Sequence, residues 1–146
     1  MPKVSIVIPC YNEQSTIRLL LEALREQTFP RSKMEVIISD GFSTDSTREV
    51  IAAFQREFSD LDVRVVDNVK RTIPSAVNRA IEASRGEIIV RLDAHSKPYP
   101  DYVENCVTAL EAKRGDNVGG VWEIRAGAKT WIAESIAVAA AHPLGV

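Results

Sequence analysis

Hydrophobic positions along the chain alternate between two kinds of segment. The first kind is a short run rich in β-branched residues, which is typical of strands buried on both faces of a parallel sheet. Such runs occur at 4–8, 35–39, 63–66 and 87–92, with a weaker fifth candidate at 118–124. The second kind repeats apolar residues three and four positions apart, as between residues 17 and 24, and predicts amphipathic helices between the strands.

This order of segments predicts an α/β fold with a mostly parallel sheet and helices on both faces, because strands separated by helices form right-handed βαβ crossovers. The residues between the segments agree with it. Asn12 is expected to cap the first helix, and Ser46 with Glu49 has the spacing of a capping box before the second. Pro74 suits the first turn of a third helix.

Composition narrows the class of protein. The chain has 146 residues, of which 45% are apolar and 26% charged, so we expect one folded domain rather than disorder. A net charge of -2 argues against a nucleic-acid partner. The two cysteines, Cys10 and Cys106, lie far apart, which favours a reducing cytoplasmic location over secretion. No apolar stretch is long enough to predict a membrane span.

Ligands of open parallel sheets bind beyond the carboxyl ends of the strands, so the strand exits are where chemistry is expected. The first exit, 9–13, has no glycine, which argues against a dinucleotide fingerprint and a phosphate-cradling P-loop. It offers Tyr11 for stacking on a base. The second exit carries Asp40 and Asp45, whose carboxylates can accept hydrogen bonds from a ribose or a base, or can serve as turn and cap residues.

The exit of the fourth strand carries a candidate metal site. Asp93 and His95 flank Ala94, so in an extended chain their side chains point the same way and can share one ion. A carboxylate and an imidazole suit Mn²⁺ readily and Mg²⁺ less well, because Mg²⁺ prefers oxygen ligands. The alternative is that His95 is a solvated surface side chain.

With its segments 4–13, 40–47 and 86–95 in this order, the sequence resembles the nucleotide-sugar-binding half of family 2 inverting glycosyltransferases, which have the Rossmann-like GT-A fold. Within the family it is similar to bacterial succinoglycan-type exopolysaccharide glucosyltransferases. The resemblance implies a donor-binding subdomain over 1–125 and the start of an acceptor-side region over 126–146, in a chain expected to end before the family's catalytic base.

The resemblance also implies roles for individual residues. Pro9, Tyr11 and Glu13 would border the uridine of a UDP-sugar, and Asp40 would contact its base or ribose. Asp93 would lie by the ribose and the metal-bound diphosphate. Lys70 and Arg71 fall where the family often places basic contacts to the nucleotide, with a solvated basic turn as the alternative.

Two departures from the family pattern change what is expected. The family's metal triplet usually ends in Asp where this chain has His95, so the metal, Mn or Mg, stays open. The family's catalytic base is a carboxylate far downstream, so no residue here is assigned as the base. The implied partners are a nucleotide-sugar donor and a saccharide or lipid-linked acceptor, with membrane association of a longer protein and a homodimer as further possibilities.

Two other classes of function fit the acidic strand exits. One is a receiver-like signalling module that binds Mg²⁺ through its carboxylates, although such modules place an acidic pair after the first strand, where this chain has Asn12 and Glu13. The other is an inactive fragment that associates with itself through the apolar segment beyond residue 130.

Overall fold

Four strands form one sheet in the computed structural model, which describes residues 1–120, 123–126 and 128–141. The strands are β1 (Val4–Cys10), β2 (Met34–Asp40), β3 (Asp62–Asp67) and β4 (Ile88–Arg91), in the spatial order β3-β2-β1-β4. The helices are α1 (Ile17–Arg25), α2 (Thr47–Glu57), α3 (Ile73–Glu82), α4 (Tyr102–Glu111) and α5 (Trp131–Ala140), with a 3₁₀ turn at Arg31–Lys33. All three strand pairings are parallel.

The strand order reverses next to β1. The chain steps outward from β1 to β2 and β3, and then returns to place β4 on the other side of β1. Open α/β sheets bind ligands where the order reverses, because the connections leave in opposite directions and open a crevice. Cys10 pairs with Asp40 and Asp40 with Asp67, so the exits of β1, β2 and β3 are level with one another.

Side chains of β1 alternate between two packed faces. Ile6 and Ile8 enter the main core, which also contains the apolar stripes of α1, α2 and α4. Val7 points to the other face and packs with Ile37 of β2 and Ala80 of α3. Helices therefore cover both faces, as predicted. Burial of a side chain of this size contributes about 1.5–3 kcal/mol, so packing against the sheet holds the short helices in place.

The ends of the elements correct two predictions. Asn12 does not cap the first helix, since α1 begins at Ile17 with Thr16 as its N-cap. Ser46 is at the N-cap of α2, but its side chain makes no capping hydrogen bond. Pro74 lies in the first turn of α3, as expected. Of the weak fifth strand, residues 118–120 and 123–124 are not extended in a sheet, and residues 121–122 lie outside the described part.

α5 differs from the other helices in its surroundings. None of its residues is buried, and Trp131 and Val138 are 76% and 73% exposed. Its N-terminus is capped by Thr130, whose hydroxyl accepts from the backbone N–H of Ala133. No helix among the described residues has the length and apolar character needed to cross a membrane.

Candidate functional site

The backbone is strained at the carboxyl edge of the sheet. Asn12, Phe42 and Arg71 have φ values of 54°, 61° and 52°, in the left-handed region that residues other than glycine seldom adopt. One follows β1, one follows β2 and one follows β3. Such strain persists only where surrounding contacts enforce it, and it collects at functional sites. The exits of β1, β2 and β3 are therefore candidates for the functional site.

Direct hydrogen bonds join the exit of β1 to the exit of β2. The backbone N–H of Asn12 donates to Ser43 Oγ at 2.9 Å. The side chain of Asn12 reaches across in return, since its Oδ1 accepts from the backbone N–H of Thr44 at 2.8 Å. This is the role Asn12 has in place of helix capping. The two exits form one surface, as the sequence predicted.

Asp45 stabilises the start of α2. Its Oδ1 accepts from the backbone N–H of Thr47 at 3.0 Å, and its Oδ2 accepts from the N–H of Gln14 at 3.2 Å. Partial burial raises the pKa of Asp45, but the hydrogen bonds from Thr47 outweigh it and hold the pKa below its usual range. Both oxygens thus have partners within the protein, in keeping with the turn-and-cap alternative. Its predicted contact with the donor stays a prediction.

Asp40 is fully buried at the end of β2. Its Oδ2 accepts from the backbone N–H of Ser43 at 3.1 Å and from Arg48 Nε at 2.6 Å, and Oδ1 accepts from the Ser43 hydroxyl. Burial raises the pKa of Asp40, and the bonds from Ser43 and Arg48 lower it to a net value below the usual range. A direct contact with a base or ribose would require Asp40 to exchange these partners, and that contact stays a prediction.

Aromatic and basic side chains lie beside these carboxylates. Tyr11 is 52% exposed, and a Cβ atom added to Gly41 would lie 3.4 Å from its ring. The guanidinium groups of Arg48 and Arg71 each lie 5.5 Å from the ring centre of Phe42. An exposed aromatic surface next to cations suits a base and phosphates.

Sequence reasoning predicted some members of this surface and missed others. Tyr11 and Arg71 were predicted, whereas Phe42 and Arg48 were not. Lys70 is exposed next to Arg71, and its contact with the nucleotide stays a prediction. The signal for Phe42 was a single aromatic residue inside a polar turn. Arg48 gave no signal, because arginine in the first turn of a helix is ordinary.

The exit of β4 is a turn, so the prediction of an extended Asp93–His95 segment is wrong. The backbone N–H of Ser96 donates to the Asp93 carbonyl at 2.9 Å and closes the turn. The two side chains have different partners, since Asp93 pairs with Arg91 at 3.2 Å and His95 Nδ1 lies 3.3 Å from Glu13 Oε1. The His95 contact connects the exit of β4 to the exit of β1.

The residue types at this turn suit a divalent cation, but Asp93 and His95 have different partners here, so their sharing of one ion stays a prediction. Within the described residues, no three acidic, histidine or cysteine side chains are grouped as a metal site. Asp93 and His95 provide a carboxylate and an imidazole, a donor set that suits Mn²⁺, and both side chains are accessible to an incoming ligand. A metal held here would need further ligands from a bound diphosphate or water.

The thiol of Cys10 reports the charge at the end of β1. Burial and then the nearby carboxylates of Asp40, Glu13 and Asp45 raise the pKa of Cys10 to about 12. Those three carboxylates come from the exits of β1 and β2, which the hydrogen bonds of Asn12 join. The sulfur itself is protonated and buried, which gives it no chemical role at neutral pH.

An open cavity of about 540 Å³ lies at the other end of β2, lined in part by Met34, Phe58 and Leu61. None of the residues of the strand exits lines it. The candidate site is therefore assigned from the chemistry of the exits, and not from cavity size.

A parallel sheet with reversed strand order and polar strand exits places the chain among open α/β proteins that bind ligands at the carboxyl edge of the sheet. The family model for glycosyl transferase family 2 matches residues 5–140 of this chain. The chain therefore belongs to glycosyltransferase family 2. This membership favours the glycosyltransferase interpretation over a receiver-like module.

Relatives and solved structures agree with the family. The succinoglycan biosynthesis protein ExoA of Rhizobium meliloti is 43% identical over 115 residues, which cover 77% of this chain and 34% of that protein. The mannosyltransferase PcManGT of Pyrobaculum calidifontis, solved with GDP-Man and Mn²⁺, is 34% identical with a TM-score of 0.71, over 75% of this chain and 32% of that one.

A third similar protein was solved with a uridine nucleotide bound. The glucosyl-3-phosphoglycerate synthase of Mycobacterium tuberculosis, solved with Mn²⁺, UDP and glucosyl-3-phosphoglycerate, is 26% identical with a TM-score of 0.58, over 75% of this chain and 39% of that one. These likenesses confirm the predicted GT-A fold. The chain spans about a third to two fifths of the length of these three proteins.

Proposed function

We propose that this chain forms the donor-binding part of an inverting glycosyltransferase that holds a nucleoside diphosphate sugar beyond the carboxyl ends of β1, β2 and β4. One observation carries the proposal. The turns after these three strands are joined by direct contacts on the two sides of β1. Asn12 contacts Ser43 and Thr44 after β2, and Glu13 contacts His95 after β4, where the strand order reverses.

The exposed groups of this surface divide by chemistry. Tyr11, with Pro9 beside it, offers a ring for the base, and Phe42 adds a second ring nearby. Lys70 and Arg71, which follow β3, are exposed cations suited to contact the nucleotide. Asp40 and Asp45 lie behind this surface with their oxygens occupied.

A divalent cation would be held by Asp93 and His95, with Glu13 behind the imidazole. When bound, such an ion acts as a Lewis acid that stabilises the charge growing on the diphosphate as it leaves. Glu13 orients the His95 ring, and Arg91 holds one oxygen of Asp93. Mn²⁺ is preferred over Mg²⁺ because one ligand is an imidazole nitrogen.

The base and the acceptor belong to the same proposal. UDP is the expected nucleotide, and GDP is the alternative because the mannosyltransferase match was solved with GDP-Man. The acceptor is a saccharide or lipid-linked saccharide of exopolysaccharide synthesis, in line with the name of the succinoglycan relative. Residues 1–125 would form the donor part and 126–146 the start of the acceptor side, in the cytoplasm. No catalytic base is assigned.

Ligand-induced stabilisation tests this function. Thermal unfolding is followed with UDP, GDP, UDP-sugars and GDP-sugars up to millimolar concentration, each with Mn²⁺ or Mg²⁺. A ligand at 100 times its dissociation constant stabilises the native state by about 2.7 kcal/mol, which raises the melting temperature by several degrees. We expect a rise with one nucleotide and Mn²⁺, and a smaller rise with Mg²⁺.

Variants show whether the binding occurs at the proposed site. Asp93→Asn and His95→Ala should each remove most of the metal-dependent rise. Asp101→Asn is the matched control, because Asp101 is an exposed aspartate at the start of α4 whose side chain makes no capping hydrogen bond. A folded wild type that shows no rise with any of these nucleotides would contradict the proposal.

A further inference from the structure

Two series of hydrogen bonds connect the exit of β1 with the segment that follows β2. Each series, called a relay below, runs from a carboxylate through a side-chain hydroxyl to a backbone N–H of the β1 exit. In the first relay, the Ser43 hydroxyl donates to the Asp40 carboxylate, and its oxygen accepts from the backbone N–H of Asn12 at 2.9 Å. In the second relay, the Thr47 hydroxyl donates to the Asp45 carboxylate, and its oxygen accepts from the N–H of Glu13 at 2.8 Å. A hydroxyl that donates to a carboxylate is a stronger acceptor, because linked hydrogen bonds polarise one another.

Each relay is fixed at its far end. Asp40 has no exposed surface, and Arg48 Nε donates to its second oxygen at 2.6 Å. Arg48 is itself held by Asp67, also at 2.6 Å. Asp45 is held by the backbone N–H of Thr47 at 3.0 Å, and its other oxygen accepts from the N–H of Gln14, which directly follows the turn, at 3.2 Å. The hydroxyls in the middle are therefore presented to β1 from rigid supports.

Both relays end at the Tyr11–Glu13 turn, whose backbone conformation is strained at Asn12. Asn12 has a φ of 54°, which costs free energy for a residue with a side chain. The two captured N–H groups, those of Asn12 and Glu13, follow Tyr11 directly. One relay thus sets the backbone that directs the Tyr11 ring, and the other sets the backbone that directs the Glu13 carboxylate towards His95.

We propose that Asp40 and Asp45 are positioning residues, which act through Ser43 and Thr47 to set the Tyr11–Glu13 turn, and that neither contacts the nucleotide. This inference rests on the proposed function, because it assigns the turn to nucleotide binding. The inference replaces a direct contact between Asp40 and the nucleotide with an indirect effect through Ser43. The complete burial of Asp40 favours the indirect effect.

Matched variants separate the hydroxyls from the rest of the loop. Ser43→Ala and Thr47→Val remove the relays, whereas Ser43→Thr and Thr47→Ser keep a hydroxyl and should rescue them. Ser46→Ala is the control, since Ser46 lies in the same segment and its side chain makes no capping hydrogen bond. Amide hydrogen exchange is measured at Asn12 and Glu13, and affinity is measured for UDP, GDP and inorganic diphosphate with Mn²⁺.

The expected results distinguish positioning from a general loss of stability. Ser43→Ala should speed exchange at Asn12 and weaken binding of the preferred nucleotide about tenfold, the loss of one hydrogen bond in a charged network. Binding of inorganic diphosphate should change less than twofold, because it does not use Tyr11. Thr47→Val should speed exchange at Glu13 in the same way. A purely structural role would lower the melting temperature without changing the ratio of nucleotide to diphosphate affinity.

A double-mutant cycle decides between indirect and direct action of Asp40. If Asp40 acts through Ser43, Asp40→Asn combined with Ser43→Ala should weaken nucleotide binding no more than the stronger single variant. Additive losses would overturn the inference, as would unchanged exchange at both amides in Ser43→Ala and Thr47→Val. If the wild type binds neither nucleotide, the proposed function fails, and the exchange measurements still decide whether the relays set the turn.

Discussion

β2 carries a fully buried carboxylate at each end, and the two differ in where their partners come from. Glu35, at the amino end, accepts on one oxygen from Ser5 Oγ and the backbone N–H of Arg85, both at 2.6 Å. Its other oxygen accepts from Arg64 at 2.7 Å and from Arg85 Nε at 2.9 Å. The carboxylate of Asp40, at the carboxyl end, accepts in the described part only from Ser43 and Arg48, three and eight residues further along the chain.

Glu35 and Asp40 are equally buried and carry the same charge, but they stabilise different parts of the structure. The partners of Glu35 come from β1, β3 and the turn before β4, so its charge ties distant parts of the sheet together. The partners of Asp40 shape one turn, which bears on the candidate site. Substitutions at the Glu35 end should therefore cost more stability than a substitution at the Asp40 end, and four experiments test this difference.

Glu35→Ala should have the largest effect. It leaves the hydroxyl of Ser5 and the N–H of Arg85 without partners and removes the charge that pairs with two arginines. Removing one member of a buried ion pair costs about 3–5 kcal/mol of unfolding free energy. Urea unfolding checks this, with Glu82→Ala as the control, because Glu82 forms an exposed pair with Arg79 worth about 0.3–0.5 kcal/mol. A loss below that of the control would show that the two ends of β2 do not differ in this way.

Acid should remove the contribution of Glu35 gradually. Burial raises the pKa of Glu35, but hydrogen bonds from Ser5, Arg85 and Arg64 outweigh it and lower the pKa from 4.5 to about 2. Because the folded-state pKa is the lower one, the contribution is complete above about pH 4.5 and is lost as the pH falls towards 2. At about 1.4 kcal/mol per pKa unit it is on the order of 3 kcal/mol. Unfolding free energies at pH 7, 5, 4 and 3 should show a shallower acid loss in Glu35→Gln than in the wild type, and equal slopes would refute the assignment.

Gly86→Ala should destabilise the same end by about 1–3 kcal/mol, the usual cost of overpacking. A Cβ atom there would lie 2.8 Å from the backbone nitrogen of Ser5, where β1 and the chain before β4 run close together. Gly119→Ala is a matched control, since no atom lies within 4 Å of its added Cβ. Thermal unfolding measures both, and we expect the control to stay within about 0.5 kcal/mol of the wild type.

Asp67→Asn should have the smallest effect on stability, about 0.2–1 kcal/mol, because Asp67 is half exposed in its pair with Arg48. Arg48 keeps its bond to Asp40 in this variant, so the first relay should stay intact and nucleotide affinity should change less than twofold. Urea unfolding and nucleotide titration measure the two effects. A loss of affinity larger than that of Ser43→Ala would mean that the Asp67 charge matters more than the relay.

Much of the fold could be predicted from the sequence because the signals for it are local. Alternation of β-branched runs with helical stripes predicted the four strands and helices on both sheet faces. It also placed Tyr11, Asp40 and Asp93 at strand exits, and the rule for parallel sheets predicted the contacts between the exits of β1, β2 and β4. The weak fifth strand predicted at 118–124 is wrong for the described residues 118–120 and 123–124, and Gly119 and Gly120, which follow Val118, weaken any strand there.

The sequence by itself determined the family, the order of the elements and which residue types reach the carboxyl edge of the sheet. Only the tertiary structure decided which of these residues are accessible. Asn12 has the residue type of a helix cap, but it hydrogen-bonds the turn after β1 to the turn after β2. The carboxylate of Asp40 is enclosed by the residues that follow it, Ser43 and Arg48. In the sequence, Glu35 is an ordinary charged residue near the start of a strand. In the structure it is bound by Arg64 and Arg85, which lie 29 and 50 residues further along the chain. Burial and hydrogen-bond partners depend on such distant contacts, which a local pattern does not encode.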